Sequence, residues 1–283
     1  MTADRRPHVL VIGGFLSSPP FYGTLRDRLL ARGAAAVDIA PIWLPDWLLV
    51  TWRGQGRIAT RAARAVLEAS ARAEGAPLLV IGHSAGGVVA RILTAEIPFA
   101  GHRYAGASRI GAIVTLGTPH VNAMEAWTSR RSGVYPVRFA AEHVPGAWFA
   151  PRVGYLSVAS RRSSARAGSS GPRERWLRRS YERVMPPPHP DLIEGDGVVP
   201  IECALLPSAR QIVLDDVAHG QGMGHRWYGS ETSVDAWWPA ALEVWRDALS
   251  AREAGDAGPS APVPTASTRD ALPAAFDRSG PDP

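Results

Sequence analysis

Strand and helix signals alternate along the chain and predict an α/β fold with a mainly parallel sheet covered on both faces. Two observations carry that reading. Short apolar runs recur at 8–12, 37–40, 78–81, 110–116, 153–159 and 211–214, the length and composition of strands buried on both sides. Stretches with helical spacing fill the intervals, as strand–crossover–strand units require. No internal repeat interrupts this order.

Each element has its own signal. The run 8–12 is stopped by Gly13-Gly14, a turn signal. Residues 21–30 have helical spacing and end at Gly33, a glycine stop. The run 37–40 meets Pro41. Residues 57–73 are alanine-rich, with Ile58, Ala62, Val66 and Ala69 on one face, so a helix is expected there. The strand at 78–81 leads into a helical stretch at 86–95, and 234–249 closes the fold as a helix.

Of 283 residues, 46% are hydrophobic and 20% charged, which supports a sizeable core and excludes global disorder. The 31 basic side chains are all arginine and exceed the 26 acidic ones by five. No nucleic-acid reader motif accompanies that charge, so nucleic acid is not expected as a partner. A single cysteine, Cys203, excludes an internal disulfide framework and a cysteine-based zinc cluster. No apolar run approaches the roughly 18 residues that a membrane span needs. Arg5-Arg6 before the apolar run 9–16 imitates a signal peptide, but the run is short and lacks an Ala-x-Ala site. The chain is therefore expected in the cytoplasm.

Two stretches break the rhythm. Residues 161–183 hold eight arginines against Glu174 and Glu182. Trp176, Leu177, Ser180, Tyr181 and Val184 form one helical stripe there. The insertion, taken as 161–190, is read as a lid, as a solvated basic face, or as a helix resting on an anionic lipid surface. Residues 251–283 draw 20 of 33 positions from Ala, Pro, Gly and Ser, a composition expected to stay disordered. The folded domain is accordingly placed at 1–250.

Gly82-His83-Ser84-Ala85-Gly86 fits Gly-x-Ser-x-Gly between an entering strand and a leaving helix. On such a turn a serine hydroxyl is presented above the carboxyl edge of the sheet, and the flanking glycines remove side chains that would collide with it. The other reading is an unreactive glycine-rich connection. A serine needs a base, and in this architecture the acid and then the histidine follow it in the chain. His219 stands five residues past the last strand, with His225 as its rival in the same loop. Asp196, in the turn Gly195-Asp196-Gly197-Val198-Val199-Pro200, is favoured as the acid over Asp191, Glu194, Asp215 and Asp216. Gly13-Gly14-Phe15 follows the first strand, where a backbone N–H can face the serine. The amide of Ala85 would be the second oxyanion donor.

These residues resemble lipase-like members of the α/β-hydrolase fold, over roughly residues 8 to 249. Gly14-Phe15 looks like the lipase oxyanion turn, and Gly82–Gly86 like the nucleophile elbow. Leu116-Gly117-Thr118-Pro119-His120 is similar to the segment after the next strand in many lipases, and 195–200 to their acid turn. Val217-Ala218-His219 with Trp227-Tyr228-Gly229-Ser230 is similar to the histidine loop of a bacterial and plant subgroup of lipase-like hydrolases. That match favours His219 over His225. Two departures stand out: Gly13-Gly14 replaces the His-Gly of many lipases, and a long arginine-rich insertion precedes Asp196.

The resemblance implies a serine hydrolase acting on carboxylic esters through an acyl-enzyme, with Ser84, Asp196 and His219 as the triad and Phe15 and Ala85 as oxyanion donors. It needs no metal or cofactor. Trp43, Trp47 and Trp52 cluster after the second strand, where they either line an acyl pocket beside Gly14 and Phe15 or simply pack the core. A thioesterase, amidase or acyltransferase would use the same triad. A catalytically silent acyl-binding protein is the reading from another class.

Overall fold

A computed structural model describes residues 5–50, 54–121 and 136–255. The strands are β1 (His8–Ile12), β2 (Ala36–Ile39), β3 (Leu78–His83), β4 (Ile110–Leu116), β5 (Gly154–Arg161), β6 (Ser163–Arg166), β7 (Leu192–Gly195) and β8 (Arg210–Asp215). The helices are α1 (Gly23–Ala31), α2 (Leu44–Leu48), α3 (Gly56–Arg72), α4 (Ala85–Ile92), α5 (Pro136–His143), α6 (Pro172–Val184), α7 (Ile201–Ala204) and α8 (Glu231–Glu253). Six strands form one sheet in the order β2-β1-β3-β4-β5-β8, and every neighbouring pair is parallel.

Side-chain alternation explains why both faces are covered. Val9 and Val11 of β1 join Leu79 and Ile81 of β3 against Leu25 and Leu29 of α1 and Trp237 and Trp245 of α8. Leu10 and Ile12, with Val80, face the other way onto Ile58, Ala62 and Val66 of α3 and Val89 of α4. Each such side chain, taken fully out of water, contributes about 1.5–3 kcal/mol, so the central strands hold the molecule together. The expected strands and helices all occur, with ends moved by a few residues. Pro19-Pro20 delays α1 by opening a short 3-10 turn at Pro19–Tyr22. The last helix runs to Glu253, past the boundary expected at 250. The remainder of the expected tail, from 256 on, lies outside the described residues.

The arginine-rich insertion is folded as a strand, a helix and a returning strand. β6 and β7 pair antiparallel, and α6 lays Leu177, Tyr181 and Val184 onto Ala165, Ile193, Val199 and Cys203. The stripe read from the sequence is thus turned inward, apart from Trp176, which is 64% exposed. The hydroxyl of Tyr181 accepts the N–H of Gly197 at 2.9 Å and donates to the carbonyl of Ser163 at 3.3 Å. Among the described residues no helix is long and apolar enough to cross a membrane.

Candidate active site

β3 ends inside the sheet and α4 begins at once, so Ser84 is placed at the turn between them with φ 52° and ψ −127°. A non-glycine residue in such a region costs on the order of 1–3 kcal/mol. The turn is closely packed by neighbouring backbone and needs glycine on either side of Ser84. A side chain at Gly86 would run into the carbonyl of Ile12, and one at Gly82 into the backbone of Gly87. The turn after β1 also passes close: a Cβ on Gly14 would lie 2.8 Å from the Cβ of Ser84.

His219 follows β8, and its Nε2 lies 3.0 Å from the Oγ of Ser84. Its Nδ1 lies 2.8 Å from Oδ2 of Asp196, and its backbone N–H donates to the Asp196 carbonyl at 3.1 Å. Asp196 stands just past β7 and is fully enclosed. Its Oδ1 accepts the N–H groups of Val198 and Val199 at 2.9 and 2.8 Å. Its Oδ2 also accepts the Tyr228 hydroxyl at 2.9 Å. Burial alone would raise the Asp196 carboxyl, but His219 beside it and the two amides outweigh that and hold it below its ordinary value. Burial, reinforced by the Asp196 charge, pushes the Tyr228 hydroxyl well up, so it stays a donor.

The backbone N–H groups of Phe15 and Ala85 make no hydrogen bond among the described residues, which leaves both free to donate. The amide of Gly14 is already taken by the Tyr22 hydroxyl at 2.8 Å. The other candidates are placed elsewhere. His225, Asp191, Asp215 and Asp216 are exposed, and Glu194 pairs with Arg161 at 3.3 Å. His120 is buried and takes an N–H of Arg91 at 3.2 Å, away from the serine. Of the tryptophans, Trp43 is about half exposed, at 47%. Trp47 must be corrected: it is wholly buried, edge-on to Phe15 with ring centres 5.7 Å apart, and so supports a wall from behind. Trp52 lies outside the described residues. Phe15, Leu16, Leu44 and Met223 are exposed, and all lie in segments that follow the carboxyl ends of β1, β2 and β8.

The sequence reading gave no part in the site to four polar residues, Tyr22, His83, Tyr181 and Tyr228, although it named the last three within motifs or the helical stripe. The available signals were positional: His83 stands inside the serine motif, and Tyr228 inside the segment matched to the histidine loop.

No protein-family model matches the chain, and no curated protein matches it by sequence. Solved structures do match. The chain is similar to the mature form of the Bacillus licheniformis lipase BlEst2, with 13% identity and a TM-score of 0.54 over 86% of this chain and 93% of that one. It is also similar to the phospholipase PlaB of Legionella pneumophila, with 14% identity and a TM-score of 0.51 over 85% of this chain and 59% of that one. At such identities the likeness speaks for architecture, and it agrees with the strand order and the serine turn: the chain has the α/β-hydrolase fold.

Proposed function

We propose that the protein is a serine hydrolase that cleaves carboxylic esters with apolar acyl groups. The observation that carries this reading is the hydrogen-bonded line from Ser84 through His219 to Asp196, at 3.0 and 2.8 Å. In the first step the Ser84 oxygen attacks the ester carbonyl carbon while His219 Nε2 takes its proton. Asp196 holds Nδ1–H and balances the imidazolium. The carbonyl oxygen, now negative, rests on the amides of Phe15 and Ala85, each worth about 3–4 kcal/mol of transition-state stabilisation. His219 then gives its proton to the leaving alkoxide, which departs as the alcohol. Water, deprotonated by the same nitrogen, releases the acid and restores Ser84.

The exposed Phe15, Leu16, Trp43 and Leu44 favour an apolar acyl group on the substrate. The outward Trp176 and the arginines beside it on α6 are the part of the insertion left to meet an anionic lipid surface.

Ser84→Ala should abolish turnover of short p-nitrophenyl esters while leaving the fold intact, and a fluorophosphonate should label the wild-type chain but not the variant. Unchanged turnover in the variant, or a wild-type chain inert to both reagents, would refute the assignment.

A further inference from the structure

His83, the residue before the nucleophile, is buried and takes no part in the steps above. Its Nε2 lies 2.7 Å from the carbonyl oxygen of His219. A carbonyl only accepts, so Nε2 carries the ring proton and Nδ1 is an acceptor. Nδ1 lies 2.9 Å from the Tyr22 hydroxyl, nearer than the other acceptor, Ser17 Oγ at 3.2 Å, so the single hydroxyl proton goes to Nδ1. The same hydroxyl oxygen accepts the N–H of Gly14 at 2.8 Å. On the far side of Gly14, its carbonyl accepts from Ser17, at 3.2 Å from the backbone N–H and 2.7 Å from Oγ. The Gly14–Phe15 peptide is planar and trans. Holding its oxygen towards Ser17 therefore turns the Phe15 N–H the opposite way.

We propose that Tyr22 and His83 are positioning residues that lock the oxyanion turn to the loop carrying the base. The unbroken line runs from Gly14 N–H to Tyr22, from Tyr22 O–H to His83, and from His83 Nε2–H to the His219 carbonyl. The inference rests on the hydrolase reading given above. One end of the line fixes the peptide that donates to the oxyanion, and the other fixes the backbone from which the base projects.

The surroundings suit that task. A side chain at Gly13 would meet Ser17 Oγ and the Tyr22 ring, both at 2.7 Å, so the glycine found here in place of histidine makes room for the tyrosine. The rings of Phe21, Tyr22, Trp227 and Tyr228 surround His83. Burial, with the His219 ring nearby, pushes the His83 imidazole down to about 3. It stays neutral, and Nδ1 keeps its acceptor role, wherever His219 is a working base.

The test compares Tyr22→Phe, which removes one oxygen, with His83→Gln and the double variant. The readouts are kcat and KM on a p-nitrophenyl ester and the rate of Ser84 labelling by a fluorophosphonate, with near-ultraviolet circular dichroism to verify folding. Misplacing reacting groups by an ångström costs about 100-fold, so each folded single variant should lose about 10- to 100-fold in kcat and in labelling rate, with KM unchanged. The double variant should be no slower than the slower single one, because both break the same line. Wild-type kcat in folded Tyr22→Phe overturns the proposal, as do losses that multiply in the double variant. A wild-type chain that neither turns over nor labels overturns the hydrolase reading instead, so the two failures are distinct.

Discussion

The Tyr228 hydroxyl and the His219 Nδ1–H converge on one oxygen, Oδ2 of Asp196, at 2.9 and 2.8 Å. With Val198 and Val199 on the other oxygen, the buried carboxylate has its charge met from both sides. A buried carboxylate that lost one of these donors would become easier to protonate.

Tyr228→Phe should therefore raise the Asp196 carboxyl and lower kcat by about 10-fold, less than the roughly 100- to 10,000-fold that loss of an acid–base group itself costs. The loss should deepen as the pH falls. A pH profile of kcat on a p-nitrophenyl ester checks it: the acid limb should move to higher pH in the variant.

The same carboxyl links stability to pH. Its folded-state pKa lies below the ordinary value, so its contribution is present above the unfolded carboxyl pKa of about 3.9 and is lost as the pH falls through the folded value. Asp196→Asn removes that dependence. The difference in Tm between wild type and variant should be largest near neutrality and shrink below about pH 4.

Ser84 holds φ 52° at a cost that glycine does not bear. Ser84→Gly should be inactive yet more stable by about 1 kcal/mol, a rise in Tm of about 2–4 °C for a chain of this size. Ser84→Ala keeps a Cβ and should show no such gain. Thermal unfolding of the two side by side decides the matter.

His219→Ala should be about as damaging to turnover as Ser84→Ala, because in the proposed mechanism the two act as a unit. His225 is exposed and belongs to the same loop, so His225→Ala should leave kcat and KM at wild-type values.

Trp176 is the member of the α6 stripe left exposed, at 64%. Co-sedimentation with vesicles rich in phosphatidylserine should fall in Trp176→Ser and should weaken with added salt, while turnover of a dissolved ester stays unchanged.

The central sheet was legible because period and composition agree in it: β1, β3 and β4 are buried along nearly their whole length, and continuous apolar runs announce that. The serine turn was legible because glycines are needed at fixed offsets from Ser84 for backbones to pass. Less visible was anything held by a long-range hydrogen bond. Tyr22 and His83 stand 61 positions apart, and Tyr228 and Asp196 stand 32 apart, so no local pattern ties them. The α6 stripe was read correctly as apolar, but a stripe does not say what it faces. Its partners, Ile193 and Val199 among them, sit in short elements whose own period is too brief to register. The choice between pocket and packing for Trp47 stayed open for the same reason: a tryptophan looks alike in sequence whether it walls a cavity or backs another ring.

The contact between Tyr181 and Gly197 would make the basic appendage a partner in the proposed chemistry, which it never touches. Its helix holds the segment that bears the acid, so melting of this small module would slacken the carboxylate while the six-stranded core still stood. Heat inactivation would then precede global unfolding. For the hydrolase proposed above, the working temperature would then be set at its periphery, by the weakest of its cooperative units.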